Sequence, residues 1–266
     1  MRKLARNISF VAALVKIRLT RKVADAPSFW TAFFVDTAVF AVQALVFWII
    51  YLNADAPNGW DRWKSVFFVG TFTVIDGIYM TFYFFGVRKI PDAIRTGELD
   101  LHLAKPVSPL MALCFGSVDP GSALVVAPGL VLVGVALANI GVTITPLAVL
   151  SWFGAVLLML ILMFDLMVLV QIPAFRLKRT TAFAAVENSL VTFSFRVPGY
   201  AYTGASRVVF RVLLPYGLIA AFPTEVFFGG VAPSPWLEAL PVVGVFTFLA
   251  GFAWRRALAG YVSTGT

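Results

Sequence analysis

The chain alternates long apolar segments with short polar ones, and this pattern predicts an all-α integral membrane protein with six transmembrane helices. Each apolar segment has about the length that crosses a bilayer as a helix. The one long polar interruption, residues 88–110, lies between the second and third spans. The predicted spans are residues 29–52, 65–87, 123–139, 147–170, 181–197 and 236–254.

Two further segments are too short or too polar to span. Residues 1–28 place apolar side chains at helical spacing among many basic ones, which predicts an N-terminal interfacial amphipathic helix. A secretory signal peptide is the competing interpretation, but no small-residue cleavage site follows. Residues 198–235 contain short apolar pieces separated by prolines, which predicts re-entrant or interfacial helices before the sixth span, because bare loops cannot meet lipid. We therefore treat residues 1–266 as one transmembrane domain.

The polar stretch 88–110 predicts a short docking helix, followed by a broken connector that extends to residue 122. Pro91 suits a first helical turn, and Gly97 suits the residue just past a helix end. A helix of about two turns between them would carry Ile94 on an apolar side and Arg95 towards water. Further charged side chains follow at Glu98, Asp100 and Lys105.

Composition and charge support a multi-pass membrane protein and argue against a nucleic-acid-binding one. The chain is 60% hydrophobic and only 13% charged, which excludes an ordinary soluble protein. The net charge of +8 comes from clusters that flank the spans rather than from one basic face. With both termini cytoplasmic, the inner segments hold 16 of the 21 Lys and Arg residues. The positive-inside rule then places residues 88–110 in the cytoplasm, and we expect the protein to lie in the plasma membrane.

The sequence contains no signature of an enzyme, a cofactor site or a metal site. It has no GxxxxGK[ST] phosphate-binding loop and no other nucleotide-binding signature, so we expect no ATP hydrolysis by this chain. His102 is its only histidine and Cys114 its only cysteine. A histidine-based metal cluster and an intrachain disulfide are therefore excluded, and a catalytic triad has no support.

Four acidic residues fall within predicted spans and require an explanation, since each costs about 2.5–3.5 kcal/mol at the centre of an isolated helix. They either line a translocation path or proton relay, or they accept hydrogen bonds from neighbouring helices. We favour the structural role for Asp36 and Asp165, which lie nearer to span ends. Asp76 and Glu187, with the adjacent Asn188, are the candidates for a path.

Two arginines before the sixth span have two open interpretations. Arg207 and Arg211 lie four residues apart on a segment predicted to face the outer leaflet. They either contact an anionic substrate headgroup or anchor the segment to lipid phosphate, and anchoring is the favoured interpretation.

Two segments resemble permease subunits of type-2 ABC exporters. IRTGELDLHLAKPVSPL, residues 94–110, resembles the family signature that follows the second span, in which an arginine precedes Gly-Glu-Leu-Asp and basic-Pro-Ser blocks. FRVLLPYGLIAAFPTEVFFG, residues 210–229, resembles the segment before the family's last span. Such permeases often carry basic residues just after the Pro-Ser block, whereas this chain has Asp119-Pro120-Gly121.

The resemblance implies a permease subunit of an ATP-driven ABC export system. The docking helix would then be a coupling helix that sits in a groove on a separate ATPase subunit, which holds the ATP and Mg²⁺. A second permease, identical or related, would complete the path through the lipid. The residues implied at the ATPase contact are Pro91, Ile94, Arg95, Gly97, Glu98, Asp100 and Lys105.

Two other functions stay open from the residues alone. A stand-alone secondary transporter would use Asp76 or Glu187 as a proton carrier, and a membrane scaffold would transport nothing. An amphipathic loop resting on anionic headgroups is likewise an alternative to the docking helix, although Glu98 and Asp100 count against it. The sequence does not indicate the cargo.

Overall fold

The chain folds as a bundle of helices in the computed structural model, which describes residues 26–53, 60–104, 106–177, 181–229 and 233–261. Every regular element within these ranges is helical. The predicted interfacial helix at residues 1–28 lies almost entirely outside the described residues. Lys105 and the side chain of Asp36 lie outside them too.

Twelve α-helices and six shorter helical turns make up the described chain. The α-helices are α1 (Ala26–Asn53), α2 (Arg62–Tyr79), α3 (Phe85–Arg88), α4 (Ile90–Thr96), α5 (Glu98–Leu103), α6 (Pro109–Cys114), α7 (Val126–Asn139), α8 (Pro146–Gln171), α9 (Thr181–Arg196), α10 (Gly204–Val208), α11 (Ala221–Phe228) and α12 (Ser234–Ala259). The turns are π turns at Met80–Phe84 and Val209–Leu213 and 3-10 turns at Ser122–Val125, Ile172–Phe175, Gly199–Ala201 and Pro215–Leu218.

Side-chain caps begin the two helices at the centre of the bundle. The Asp61 carboxylate accepts a hydrogen bond from the Lys64 amide at 2.8 Å at the start of α2. The Thr145 hydroxyl accepts one from the Ala148 amide at 3.2 Å, and Pro146 opens α8. Each cap satisfies an amide that the first helical turn leaves without a carbonyl.

The described residues contain four helices long and apolar enough to cross a membrane, and five if one bent pair counts as a span. The straight ones match the second, third, fourth and sixth predicted spans. The bent pair, Gly204–Leu213 with Pro215–Phe228, turns by 90° as a broken span or a re-entrant loop does.

The first and fifth predicted spans are helical, but their described parts are not both long and apolar enough to count as membrane-crossing helices. In α1 the apolar described part is Thr37–Ile49. The α9 helix has 16 residues, and at 1.5 Å per residue its length of roughly 24 Å falls short of a hydrocarbon core of about 30 Å. The structure thus supports four or five spans, and the count of six stays a prediction.

The α2 helix is the centre of the bundle, and α7 packs against it with the two backbones in contact. In the most apolar 18-residue window of each span, 83% is buried in the span that begins with α2, Arg62–Thr96, against 17% in α12. A Cβ on Gly70 would lie 2.9 Å from the Gly129 carbonyl oxygen, and one on Gly129 would lie 2.9 Å from the Val74 amide nitrogen. Glycine on both helices therefore permits the close approach by which membrane helices associate.

Aromatic side chains connect α1 and α9 to this centre. The rings of Phe72 on α2 and Phe195 on α9 stack with centroids 5.0 Å apart, and Phe40 on α1 lies 5.9 Å from Phe195. On the side of α8, the Trp152 indole donates a hydrogen bond to the Thr71 hydroxyl at 3.1 Å. These contacts hold α1, α8 and α9 around one region of α2.

The polar stretch after α3 lies at the same end of the bundle as the ends of α8 and α12. The α4 helix packs against the turn Ile172–Phe175. The Phe175 ring lies 5.4 Å from Trp254 and 6.0 Å from Tyr261. We call this end the basic end, because it carries Arg88, Lys89, Arg95, Arg176, Arg255 and Arg256.

The contact between α2 and α7 predicts opposite effects for two alanine substitutions on α7. Gly129→Ala should lower thermal stability in detergent, at a cost of about 1–3 kcal/mol, because its Cβ would meet backbone atoms of α2. Gly134→Ala is the matched control, since a Cβ there has no neighbour within 4 Å. Alanine also favours the helix, so the control should be neutral or stabilising. Equal melting temperatures for the two variants would contradict the contact.

Candidate functional site

The docking helix predicted after the second span is α4, and both of its ends match the prediction. Pro91 lies in its first turn, where the missing amide proton costs nothing. Gly97 has a φ of 75°, in the left-handed region that favours glycine, and it joins α4 to α5. The chain is helical over Ile90–Thr96, between the turn that holds Pro91 and Gly97, and its role as a docking helix stays a prediction.

The apolar face of α4 packs inside the chain, which corrects one expectation. Ile90 and Ala93 are buried, and Ile94 is only 8% exposed. The sequence predicted that this face, including Ile94, contacts a partner, and that prediction is wrong because the face belongs to the core of this chain. Ile94 therefore holds the helix in place instead of meeting another protein.

The outward side of α4 and α5 forms what we call the charged surface, made of Asp92, Arg95, Glu98 and Leu101. The Arg95 side chain is 73% exposed and pairs with Asp92 at 3.1 Å. Glu98 lies 3.9 Å from His102. Such exposed pairs contribute about 0–1 kcal/mol, so a partner with suitable charges can replace them. Asp100 is half-buried behind this surface.

The connector after α5 fixes the charged surface to the second span. A Cβ on Gly86 would lie 1.8 Å from the Cys114 carbonyl oxygen, so α3 and α6 touch through their backbones. The Asp119 amide donates to the Thr81 carbonyl at 2.9 Å, within the π turn. The Asp119 carboxylate also accepts from the Ser122 hydroxyl at 2.9 Å. Asp119-Pro120-Gly121 thus attaches the connector to the π turn of the second span.

All three candidates for a path line one cavity of about 210 Å³. Asp76 comes from α2, and Glu187 and Asn188 come from α9. The other walls are mainly apolar and aromatic, with side chains from α1, α8 and the π turn. Those that bear on the argument are Phe40, Phe72, Met80, Phe84, Met163 and Phe195. The cavity is thus an apolar chamber with a few converging polar groups.

Arg88 is the functional candidate that sequence reasoning missed. It lines the same cavity, donates a hydrogen bond to the Asn188 side-chain oxygen, and lies 3.8 Å from the Glu187 carboxylate. Its guanidinium also lies over the Phe84 ring at 4.9 Å. In the sequence Arg88 counts only as one of the basic residues that follow the second span. No local signal links it to a residue on α9, about 100 positions later.

The Glu187 carboxylate is buried with few partners. Its side chain is 1% exposed, and among the described residues neither of its oxygens accepts a hydrogen bond. The nearby Arg88 charge offsets part of the cost of burial, because Coulomb attraction is strong in a water-poor site. The pair therefore leaves a carboxylate with open acceptor positions inside the cavity.

The other buried acids have different surroundings. Asp76 lies close to the Tyr79 side chain, three residues further along the helix. Asp165 does not line the cavity. Its carboxylate accepts a hydrogen bond from the Thr247 hydroxyl, which joins α8 to α12. A bond to a nearby hydroxyl is the contact that the structural interpretation of Asp165 expects.

A second charged cluster lies at the end of the bundle opposite the basic end. The Arg211 guanidinium, 5% exposed, donates two hydrogen bonds to Glu225 at 2.6 and 2.7 Å and two to Glu238 at 2.9 and 3.4 Å. Arg207 pairs with Glu238 at 2.8 Å. The favoured interpretation of Arg211 as a phosphate anchor is wrong, because carboxylates of this chain already bind its guanidinium. We call these four residues the opposite-end cluster.

The fold and cavity define a class: a multi-pass helical membrane protein with a mainly apolar cavity that holds a few polar groups, and with a charged surface at one end. The family described as ABC-2 family transporter protein matches residues 37–265. The chain belongs to this family and is therefore a membrane component of an ABC-type transport system, as the resemblance indicated. No curated protein and no solved structure matches it.

The pair of Arg88 and Glu187 predicts that two substitutions compensate each other. Arg88→Met should lower thermal stability, because it leaves a buried carboxylate without its cation. Adding Glu187→Gln to that variant should restore part of the loss, because it removes the charge. Melting curves of the two single variants, the double variant and the unchanged protein give the coupling, expected at about 0.5–3 kcal/mol. Simple additivity would contradict the pairing.

The opposite-end cluster predicts a difference between two arginines four residues apart. Arg211→Lys should lower the free energy of unfolding by about 2 kcal/mol, because lysine cannot replace the two-pronged contact with Glu225. Arg207→Lys is the control, because Arg207 is 59% exposed, and its effect should stay within about 0.5 kcal/mol. A larger effect at Arg207 than at Arg211 would contradict the geometry.

Proposed function

We propose that this chain is the permease subunit of an ATP-driven export system and that its charged surface docks on a separate ATPase subunit. Membership of the ABC-2 transporter family supports an ABC-type system, and the chain has no nucleotide-binding signature of its own. Energy must then come from another chain. Export is the direction that the family resemblance implies.

The observation that carries this proposal is the two-sided construction of α4 and α5. One side is exposed and charged, while Ile90, Ala93 and Leu99 on the other side are buried. A partner that displaces Arg95 and Glu98 must therefore also displace the buried residues on the other side of these two short helices. It must displace α3 as well, because α3 ends only one residue before α4.

The same construction gives a route from the charged surface to the cavity. Arg88 ends α3 and contacts Glu187 and Asn188 on α9, whereas Ile90 begins α4. Movement of α4 would therefore change the distance between Arg88 and the α9 residues. Asp76, Glu187 and Asn188 would line part of a translocation path whose polar groups respond to the ATPase.

A second permease would complete the path on the side of α1 and α9. Both helices bound the cavity through Phe40 and Phe195. Both also present exposed apolar side chains outward, such as Val42 and Val186. The basic end faces the cytoplasm of a plasma-membrane protein in this proposal, because both the charged surface and the basic residues lie there. The termini would then be cytoplasmic.

Charge reversal on the charged surface tests the docking. A tagged chain is purified from its native cells, and the ABC ATPase subunit that it retains is quantified, together with its ATP turnover. Arg95→Glu and Glu98→Arg should each reduce retention about 10-fold or more, since close charge pairs at interfaces contribute about 1.5 kcal/mol or more. Ile94 is left unchanged, because its substitution would disturb the core.

Arg255→Glu is the matched control, since it is an exposed charge at the same end outside the charged surface. It should retain the ATPase fully. Full retention by both charge-reversal variants would contradict the docking. Transport by the purified chain alone, driven by a proton gradient and lost in Glu187→Gln, would support the secondary transporter instead.

A further inference from the structure

A second cavity, of about 360 Å³, lies at the basic end between the turn Ile172–Phe175 and the last turns of α12. Its interior is apolar, with Phe175, Phe252 and Ala253 among its walls, and Arg176 and Arg256 complete its lining. It is separate from the cavity that holds Glu187, since the two share no lining residue.

The two arginines of this cavity differ from those of the other charged sites. Both are exposed, and no described carboxylate pairs with either of them. Arg88 and Arg211, by contrast, each contact a glutamate of this chain. The cavity therefore presents two positive charges that the described chain does not neutralise. A ligand that completes it must carry negative charge.

The apolar side of the cavity continues along the outward face of α12. Phe252 is 53% exposed and Phe248 is 69% exposed, and their rings stack with centroids 6.1 Å apart. The two rings form an apolar strip that begins one turn before Arg256 and runs along a candidate span. Arginines at the end of a span lie at the depth of lipid headgroups, while the strip below them lies among acyl chains.

We propose that this cavity binds an anionic phospholipid. Its phosphate lies between Arg176 and Arg256, and an acyl chain lies against Phe252 and Phe248. A zwitterionic lipid would place its own positive charge close to the two arginines, which would weaken its binding. A soluble anion would leave the apolar walls of the cavity exposed to water. Only an anionic amphiphile satisfies both halves of the site.

The position of the lipid gives it a mechanical effect. It would contact the turn Ile172–Phe175 from one side, while α4 packs against the same turn. It would also join the end of α8 to the end of α12, where Phe175 already meets Trp254. Bound lipid should therefore raise the thermal stability of the chain, whether or not an ATPase docks on the charged surface.

The test compares lipids that differ in one property. The detergent-purified chain is titrated with dioleoylphosphatidylglycerol, with dioleoylphosphatidylcholine, or with soluble glycerol phosphate. Melting temperature and retained lipid, measured by native mass spectrometry, are the readouts. Phosphatidylglycerol should be retained and should raise the melting temperature, and the other two should not. Equal stabilisation by glycerol phosphate would overturn the lipid in favour of a free anion.

Two kinds of variant separate the headgroup contact from the chain contact. Arg176→Gln combined with Arg256→Gln should weaken phosphatidylglycerol binding about 30-fold, since each arginine near a membrane surface contributes about a 5-fold factor. Arg255→Gln removes the neighbouring charge, which does not line the cavity, and should change affinity less than 5-fold. Equal losses in the double variant and this control would overturn the site.

Filling the cavity tests the apolar half while it keeps both arginines. Ala253 lines the cavity and is half-buried, so Ala253→Phe would occupy the space of the acyl chain. Phosphatidylglycerol binding should fall about 10-fold in this variant. Retention at the level of the unchanged chain would overturn the cavity as the place where the acyl chain binds.

Discussion

The backbone contact between α2 and α7 is the constraint on which the rest of the structure depends. Lipid tails are as apolar as the helix surfaces, so burial from water contributes little between membrane helices, and close packing has to hold them together. Glycines at Gly70 and Gly129 permit that packing. Because α2 is held against α7, Asp76 in its last turn keeps its position in the cavity wall, whereas Arg88 lies beyond the π turn that follows α2.

The two clusters of buried charge differ in how well their members are paired, and this suggests different roles. Arg211 has close hydrogen bonds to Glu225 and Glu238, so separating those residues would be costly. Glu187 lies 3.8 Å from Arg88 and accepts no hydrogen bond from the described residues. Separating a loosely paired carboxylate from its cation costs less free energy when its surroundings rearrange. The cluster around Arg211 is therefore suited to holding its elements rigidly together, and the pair of Arg88 and Glu187 is suited to a part of the structure that moves.

Local signals made part of this structure predictable. Pro91 and Gly97 act on their own backbone, so the ends of α4 could be read from the sequence, and so could the long apolar spans. The pairing of Arg88 with Glu187 could not, because it joins residues about 100 positions apart. An apolar face on α4 could be predicted as well, but periodicity does not say whether Ile94 meets its own chain or another. Its burial shows that it meets its own chain.

The π turn at Met80–Phe84 has a consequence for movement at the cavity. A π turn holds one residue more than the α-helical turn it replaces, and one residue corresponds to about 100° of rotation around a helix axis. If this extra residue moved along the helix past Arg88, that side chain would rotate by about this angle, away from Glu187. The Asp119 amide, bonded to the Thr81 carbonyl, holds the turn in its present register. Only movement of the extra residue past Arg88 would thus take this positive charge out of the cavity wall.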